Sequence, residues 1–309
     1  MTRLRDAWEH LWFEEATPLS VAATRTIVAL HSLWILLSRP DIPSLAGWPS
    51  PFLTSVPRAT LVRFAIGAPA SAEWTLFTIL HLALVGAAAG LLSRISCLVA
   101  GLLLYHFAPF EELIVGMPHT FFGGLTLPCL ALLVLSFAPT PRRGEAPSAE
   151  YRWPVALIQL LFTFNYFFAW VAKMRFAHLQ WFTAANIRNW AIENWAMSSP
   201  PGALHIASSP MFCWLFAIGT FVLELSFPIV VVSKMARRIF VPMALLGHIG
   251  IIYTLNIMFP SLPLLLLYVN WDWVTLLLRR TICGQGHPEQ DGVRETSKPN
   301  QEPDQAVAH

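Results

Sequence analysis

Apolar residues in this chain come in long unbroken blocks, without the alternation of a half-buried strand or the three-to-four spacing of a surface helix. A bilayer crossing needs about 20 such residues. The blocks place spans at about 20–38, 74–92, 95–110, 119–138, 153–173, 210–232, 239–258 and 261–278. The pattern predicts an all-α fold, a polytopic membrane helix bundle of about eight transmembrane helices over residues 20–280. Proline-rich stretches at Pro40–Pro57, Pro139–Pro147 and Pro200–Pro210 are too broken to continue a helix and separate several of the spans. Residues 1–19 place Leu4, Trp8, Leu11 and Trp12 on one helical face, which predicts an interfacial N-terminal helix. The Gly, Pro, Glu, Gln and Lys of residues 281–309 predict a disordered cytoplasmic tail.

Composition sharpens this picture. Hydrophobic residues make up 55% of the 309 residues and charged ones 12%, about half the ~25% charge of ordinary soluble domains. Such a chain cannot cover itself with a solvated surface, so it is an integral, multi-pass membrane protein with lipid as its first partner. A net charge of +2 with no basic cluster excludes nucleic acid as a partner. Cys97, Cys129, Cys213 and Cys283 are far apart and lack metal-ligand spacing, so no metal is expected. Lys and Arg concentrate on the N-terminal side (Arg3, Arg5, Arg94, Arg142, Arg143, Arg152, Lys234, Arg237, Arg238, Arg279 and Arg280), which predicts cytoplasmic N and C termini. Trp48, Trp74, Trp153, Trp181, Trp214, Tyr268 and Trp271 are read as aromatic belts. The excess of Arg over Lys and the many alanines point to a GC-rich bacterial source, hence to the cytoplasmic membrane.

Ionisable residues inside apolar blocks carry the chemical information, because each must face a partner or a cavity. Arg25 and Glu224 fall at depths that a long side chain can bridge, which predicts a structural ion pair. In span 5, Gln159, Tyr166 and Lys173 recur every seven residues, and Asn165, Ala169 and Lys173 every four, so they line one stripe ending in the lysine. That lysine is either a headgroup anchor or a desolvated amine able to take a proton. His119, which opens span 4, is expected at the same outer level. Next to it, Gly123 and Gly124 let a helix or flat ligand approach closely. His248 in span 7 is expected to hydrogen-bond between helices, and His81 in span 2 to face a partner or a cavity.

The segment YFFAWVAK (Tyr166–Lys173) resembles the Tyr-Phe-x-Ala-Gly-x-x-Lys segment of the vitamin K-dependent gamma-carboxylases and the wider HTTM (horizontally transferred transmembrane) domain family. The similarity continues in TPLSVAATRTIVALHSLW, GLLSRISCL, PHTFFGGL, LELSFPIVVV and LLGHIGIIYTLNIMF, in order over about residues 8–278. It implies that Lys173 is the catalytic base and His119 its aid. In those carboxylases a neutral lysine deprotonates a hydroquinone, and reaction with O2 and CO2 then carboxylates a glutamate side chain. The implied cofactor is a reduced quinone of the vitamin K type, with Tyr166, Asn165 and His248 as binding residues. Trp170 stands where the family has glycine and is expected to fill part of the pocket; Ala172 and Thr183 also depart from the family pattern.

Two functions follow. The first is a quinol-dependent carboxylase or oxidoreductase, a lyase-like enzyme with a lysine base. The second is a non-enzymatic membrane protein that assists maturation or binding of an exported peptide or protein, with Pro40–Pro57 and AANIRNWAIENWAMSS as its outer contact surface. A transporter is disfavoured, because no paired halves with broken helices are visible.

Overall fold

The computed structural model describes residues 2–47, 70–115, 124–142 and 144–282. Among these residues the fold is all-helical, and extended pairing is confined to one bridge between Ala16 and Ser148. The helices are α1 (Thr2–Phe13), α2 (Pro18–Leu37), α3 (Ala70–Ala89), α4 (Ser93–Val115), α5 (Thr126–Phe137) and α6 (Arg152–Ala172). They are followed by α7 (Ala184–Ser198), α8 (Ala203–Ala207), α9 (Pro210–Ser226), α10 (Ile229–Val232), α11 (Lys234–Leu255) and α12 (Trp271–Ile282). Five of them, α2, α3, α4, α6 and α11, are long and apolar enough to cross a membrane; α5 and α9 are shorter apolar helices. Helices α2 to α5 pack as one cluster, α6 joins it to α9, and α7, α8 and α11 surround α9. His119, Gly123 and Cys283 lie outside the described residues, as do residues 48–69 of the first loop and residues 283–309 of the tail.

Helix starts and stops follow local chemistry. Thr17 caps α2: its hydroxyl accepts from the Ser20 amide and donates to the Asp272 carboxylate at 2.8 Å, with Pro18 in the first turn. Ser209 and Ser233 cap α9 and α11 in the same way. Asn256 ends α11 in the left-handed conformation.

Arg25 corrects the expected Arg25–Glu224 pair. Its Nε donates to the Ala87 carbonyl at 2.8 Å, near the C-terminus of α3, and Thr26 donates to Ala88 beside it. Helix C-termini present unpaired carbonyls and a partial negative charge, so a buried guanidinium is satisfied there without a carboxylate. Three other arginines do the same. Arg94 donates to Ala138 at the end of α5, Arg152 to Leu11 near the end of α1, and Arg237 to Val230 and Val231 in α10. Gly90 turns the chain from α3 to α4 at φ 78°, and an added Cβ would lie 2.7 Å from the Arg25 guanidinium.

The predicted eighth span, 261–278, is not one helix. Leu262–Tyr268 winds as a narrow 3₁₀ segment, about 14 Å long at ~2 Å per residue, against a hydrocarbon core of ~30 Å. It nevertheless carries the chain back along α2. His31 donates through Nε2 to the Pro260 carbonyl at 2.6 Å, whereas Asp272 meets Thr17, about 21 Å nearer the start of α2. Such irregular backbone tolerates an apolar setting only when buried in protein, and Leu264, Leu265, Leu267 and Tyr268 are all buried. Tyr268 is therefore no belt residue. Its hydroxyl donates to the Gln159 carbonyl and accepts from Thr163, while the Gln159 amide donates to Leu267.

The N-terminal helix also departs from a purely interfacial role. Leu11 is buried against Ala156 and Val231, with Trp12 beside it, whereas Trp8 remains exposed.

Losing the guanidinium in Arg25→Ala should cost about 1.5–3 kcal/mol, the range for a hydrogen bond to a charged group. The loss should be the same in a Glu224→Gln background, to within about 0.5 kcal/mol. Unfolding of the purified protein in detergent measures both, and a coupling well above that margin would restore the direct ion pair.

Candidate functional site

Lys173 sits where α6 loses its regular pitch. The chain widens into a π turn over Lys173–Ala177, His178 takes a positive φ of 49°, and a 3₁₀ turn follows over His178–Phe182. Such widened turns are frequent at functional positions. The reversal brings Trp181 beneath the lysine, with Nζ 4.6 Å from the ring centroid, and Trp181 is itself fixed by donating to the Ala217 carbonyl of α9. Seven residues further along α9, two turns away, stands Glu224. Lys173 Nζ donates to both of its oxygens, at 2.5 and 2.7 Å. The two side chains are only 16% and 15% exposed, which removes most of the water screening that weakens surface pairs. Glu224 thus takes Lys173 of α6's widened end as its partner, not Arg25.

Beside this pair lies a cavity of about 510 Å³, walled by α6, α9, α11 and the connection after α11, and reaching the end of α2 and the start of α5. Its size falls within the range of small-molecule sites, and its lining is mainly apolar with a few convergent polar groups. Glu224 lines the cavity, whereas Lys173 stands behind it as the carboxylate's partner. Of the predicted stripe, Asn165, Tyr166 and Ala169 line the cavity. Gln159 does not reach it, being held by Leu267.

Tyr166 stacks on Phe227 at 4.0 Å and 17° and meets the edge of His248 at 5.8 Å. His248 also lines the cavity. Its Nδ1 donates back to the Ala244 carbonyl at 2.7 Å, so in the neutral ring Nε2 is left as the acceptor. His81 makes the same bond to Phe77. Both are intrahelical bonds, where for His248 a contact between helices was expected. Trp170 does not fill the cavity, contrary to expectation; it packs on Phe167 and Phe221 instead.

Two acidic residues of consequence had been missed. Glu111, 1% exposed, lines the cavity 3.6 Å from Arg39, and the missing side chain of Gly124 leaves room for it, since a Cβ there would lie 3.0 Å from its carboxylate. Glu73, fully buried, pairs with His106 at 2.9 Å between α3 and α4. Each lies one residue beyond the margin of a predicted span, Glu111 after 95–110 and Glu73 before 74–92. A signal existed in their position just inside the real helices.

Removing one member of the Lys173–Glu224 pair leaves the other uncompensated at a cost of about 3–5 kcal/mol, while replacing both with apolar residues costs less. Lys173→Met and Glu224→Leu should each lower the unfolding midpoint more than the double variant does. A double variant at least as unstable as the worse single one would show that the pair is not coupled. Comparison with protein-family models, curated proteins and solved structures finds no match for this chain.

Proposed function

We propose that this protein is a membrane-embedded, quinol-dependent enzyme of the HTTM and gamma-carboxylase-like kind, with the Lys173–Glu224 pair as its proton acceptor. The observation that carries the reading is the placement of that pair: a carboxylate on the wall of a mainly apolar cavity, backed by an amine that leaves it electrically compensated. The residues fit a reduced quinone. The cavity is large enough for a substituted ring, Tyr166, Phe259 and Phe216 supply flat apolar contacts, and Asn165 and His248 can hydrogen-bond ring oxygens. A bound quinol supplies the reducing electrons and a weakly acidic hydroxyl.

The protein's own part is proton handling. Glu224 is the group that meets a hydroxyl in the cavity and accepts its proton, and the Lys173 ammonium, donating to both oxygens at 2.5 and 2.7 Å, holds and compensates the carboxylate. The lysine of the resemblance therefore acts through a carboxylate. Trp181 beneath Lys173 and the surrounding apolar wall keep water away from the exchange. His119 remains the proposed aid, as the resemblance implies.

The bundle is placed in the cytoplasmic membrane with both termini inside. The return of the chain to Thr17 through Asp272 supports an even number of crossings, the last of them the buried 3₁₀ segment. A second reading, contact with an exported peptide, draws on the half-exposed Trp190 and Trp195 and the exposed Met197 of α7.

Quinol-dependent oxygen uptake by the purified protein in lipid nanodiscs, with a 1,4-naphthoquinol as the donor, tests the enzymatic reading. Glu224→Gln and Lys173→Ala should each lower the rate by about 10²–10⁴-fold, the usual contribution of a positioned acid or base. Lys173→Arg, which keeps the countercharge, should keep the fold and retain far more of the rate than Lys173→Ala. Equal rates in all four proteins would end this reading. Peptide maturation that survives Lys173→Ala but fails with Trp190→Ala/Trp195→Ala would favour the second.

A further inference from the structure

The cavity wall is breached on one side, between α9 and α11. On α9, Leu215, Gly219 and Val222 follow one another at four and three residues and form an exposed stripe. On α11, Ile239, Met243 and Leu246 form its counterpart. Members of both outward stripes also line the cavity: Gly219 on α9 and Met243, 49% exposed, on α11. Met258, 62% exposed, adds a third such residue just after α11. A residue that belongs at once to the outer face and to the cavity lining marks an opening.

The opening is built flat. A Cβ added at Gly219 would meet nothing within 4 Å, and one at Gly247, which also lines the cavity, would only touch Leu223 at 3.9 Å. Its outer rim is apolar, formed by Leu215 and Val222 on the shorter apolar helix α9 and by Ile239 and Leu246 on α11, which is long and apolar enough to cross a membrane. Asn165, Glu224 and His248, among the polar groups that line the cavity, are not part of this rim.

We infer that this gap is a lateral portal. It admits from the lipid phase an amphiphile whose hydroxylated head reaches Glu224 and His248, while its long apolar tail stays threaded between α9 and α11. The inference rests on the proposed quinol site and adds to it the route of entry and the place of the tail, between α9 and α11. A tail costs nothing to leave in lipid, since that phase is as apolar as the gap, so the glycines serve to keep the passage open.

The portal can be tested without a quinol. The full-length protein is reconstituted in phosphatidylcholine vesicles that contain a phospholipid with a diazirine at the end of one acyl chain. After irradiation, labelled residues are mapped by mass spectrometry. Leu127, Leu264 and Tyr166 are 3%, 2% and 7% exposed and line the cavity, so a chain end reaches them only through an opening. They should be labelled, as should the outward Val222 and Leu246, whereas Leu84 and Leu104, buried away from the cavity, should not.

In Gly219→Leu/Gly247→Leu, labelling of Leu127, Leu264 and Tyr166 should fall about tenfold as the added side chains fill the passage. Labelling of Val222 and Leu246 should persist and so report an intact, inserted bundle. Labels confined to Val222 and Leu246 in the unaltered protein would overturn the portal, as would interior labelling that ignores the two leucines. A portal that passes this test in a protein without quinol-dependent oxygen uptake would leave the lipid path standing and remove the enzymatic reading alone.

Discussion

A charge inside an apolar bundle persists only where something of opposite sign meets it, and this fold meets that demand in two ways. At one end the partners are backbone carbonyls. Arg25, Arg94, Arg152 and Arg237 each donate to the terminal carbonyls of a helix that is not their own, and thereby join α2 to α3, α4 to α5, α6 to α1 and α11 to α10. Each bond reaches a carbonyl at or near a helix end, where the partial negative charge tempers that of the arginine. The arginines whose abundance on one side fixes the expected orientation are also ties of the bundle at that end.

Within the bundle the partners are side chains. Glu73 with His106, Glu111 with Arg39 and Glu224 with Lys173 are three acid–base pairs, each linking different elements. Two of the three stand at the same cavity. A carboxylate paired in this way is held at a fixed place without being neutralised for good, as acid–base work requires. The buried 3₁₀ segment is tied to α6 by the same kind of contact: the Gln159 amide donates to the Leu267 carbonyl, and the Tyr268 hydroxyl bonds Thr163 and the Gln159 carbonyl.

Hydropathy placed the long helices closely. Expected spans at 20–38, 74–92, 95–110, 153–173 and 239–258 correspond to α2, α3, α4, α6 and α11. The pairing of Glu224 was not legible. Depth along a span gives one coordinate, whereas pairing also depends on rotation about the helix axis and on which helices are neighbours. Arg25 and Glu224 satisfied the first condition alone. Tyr268 was misread for a related reason, because an aromatic residue near the end of an apolar block looks the same whether it faces a headgroup or a buried carbonyl. The stripe of α6 was legible as far as Asn165, Tyr166 and Ala169. The widened turn at Lys173 has no local sequence signature, and it is that turn which folds Trp181 back under the amine.

The order of groups around the cavity bears on why both an acid and a base are needed. A lysine alone on the wall would present a cation to an apolar ligand, and a glutamate alone an anion, each costly to hold in so dry a place. With Glu224 in front and Lys173 behind, the pair is neutral as a unit yet offers a proton-accepting oxygen to the interior. A proton arriving on the carboxylate leaves a net positive pair, which then favours a negative oxygen on whatever gave the proton up. The same pair that lets the bundle tolerate these charges would therefore stabilise a ligand anion next to it, and the apolar wall that makes the pairing necessary also makes that attraction strong.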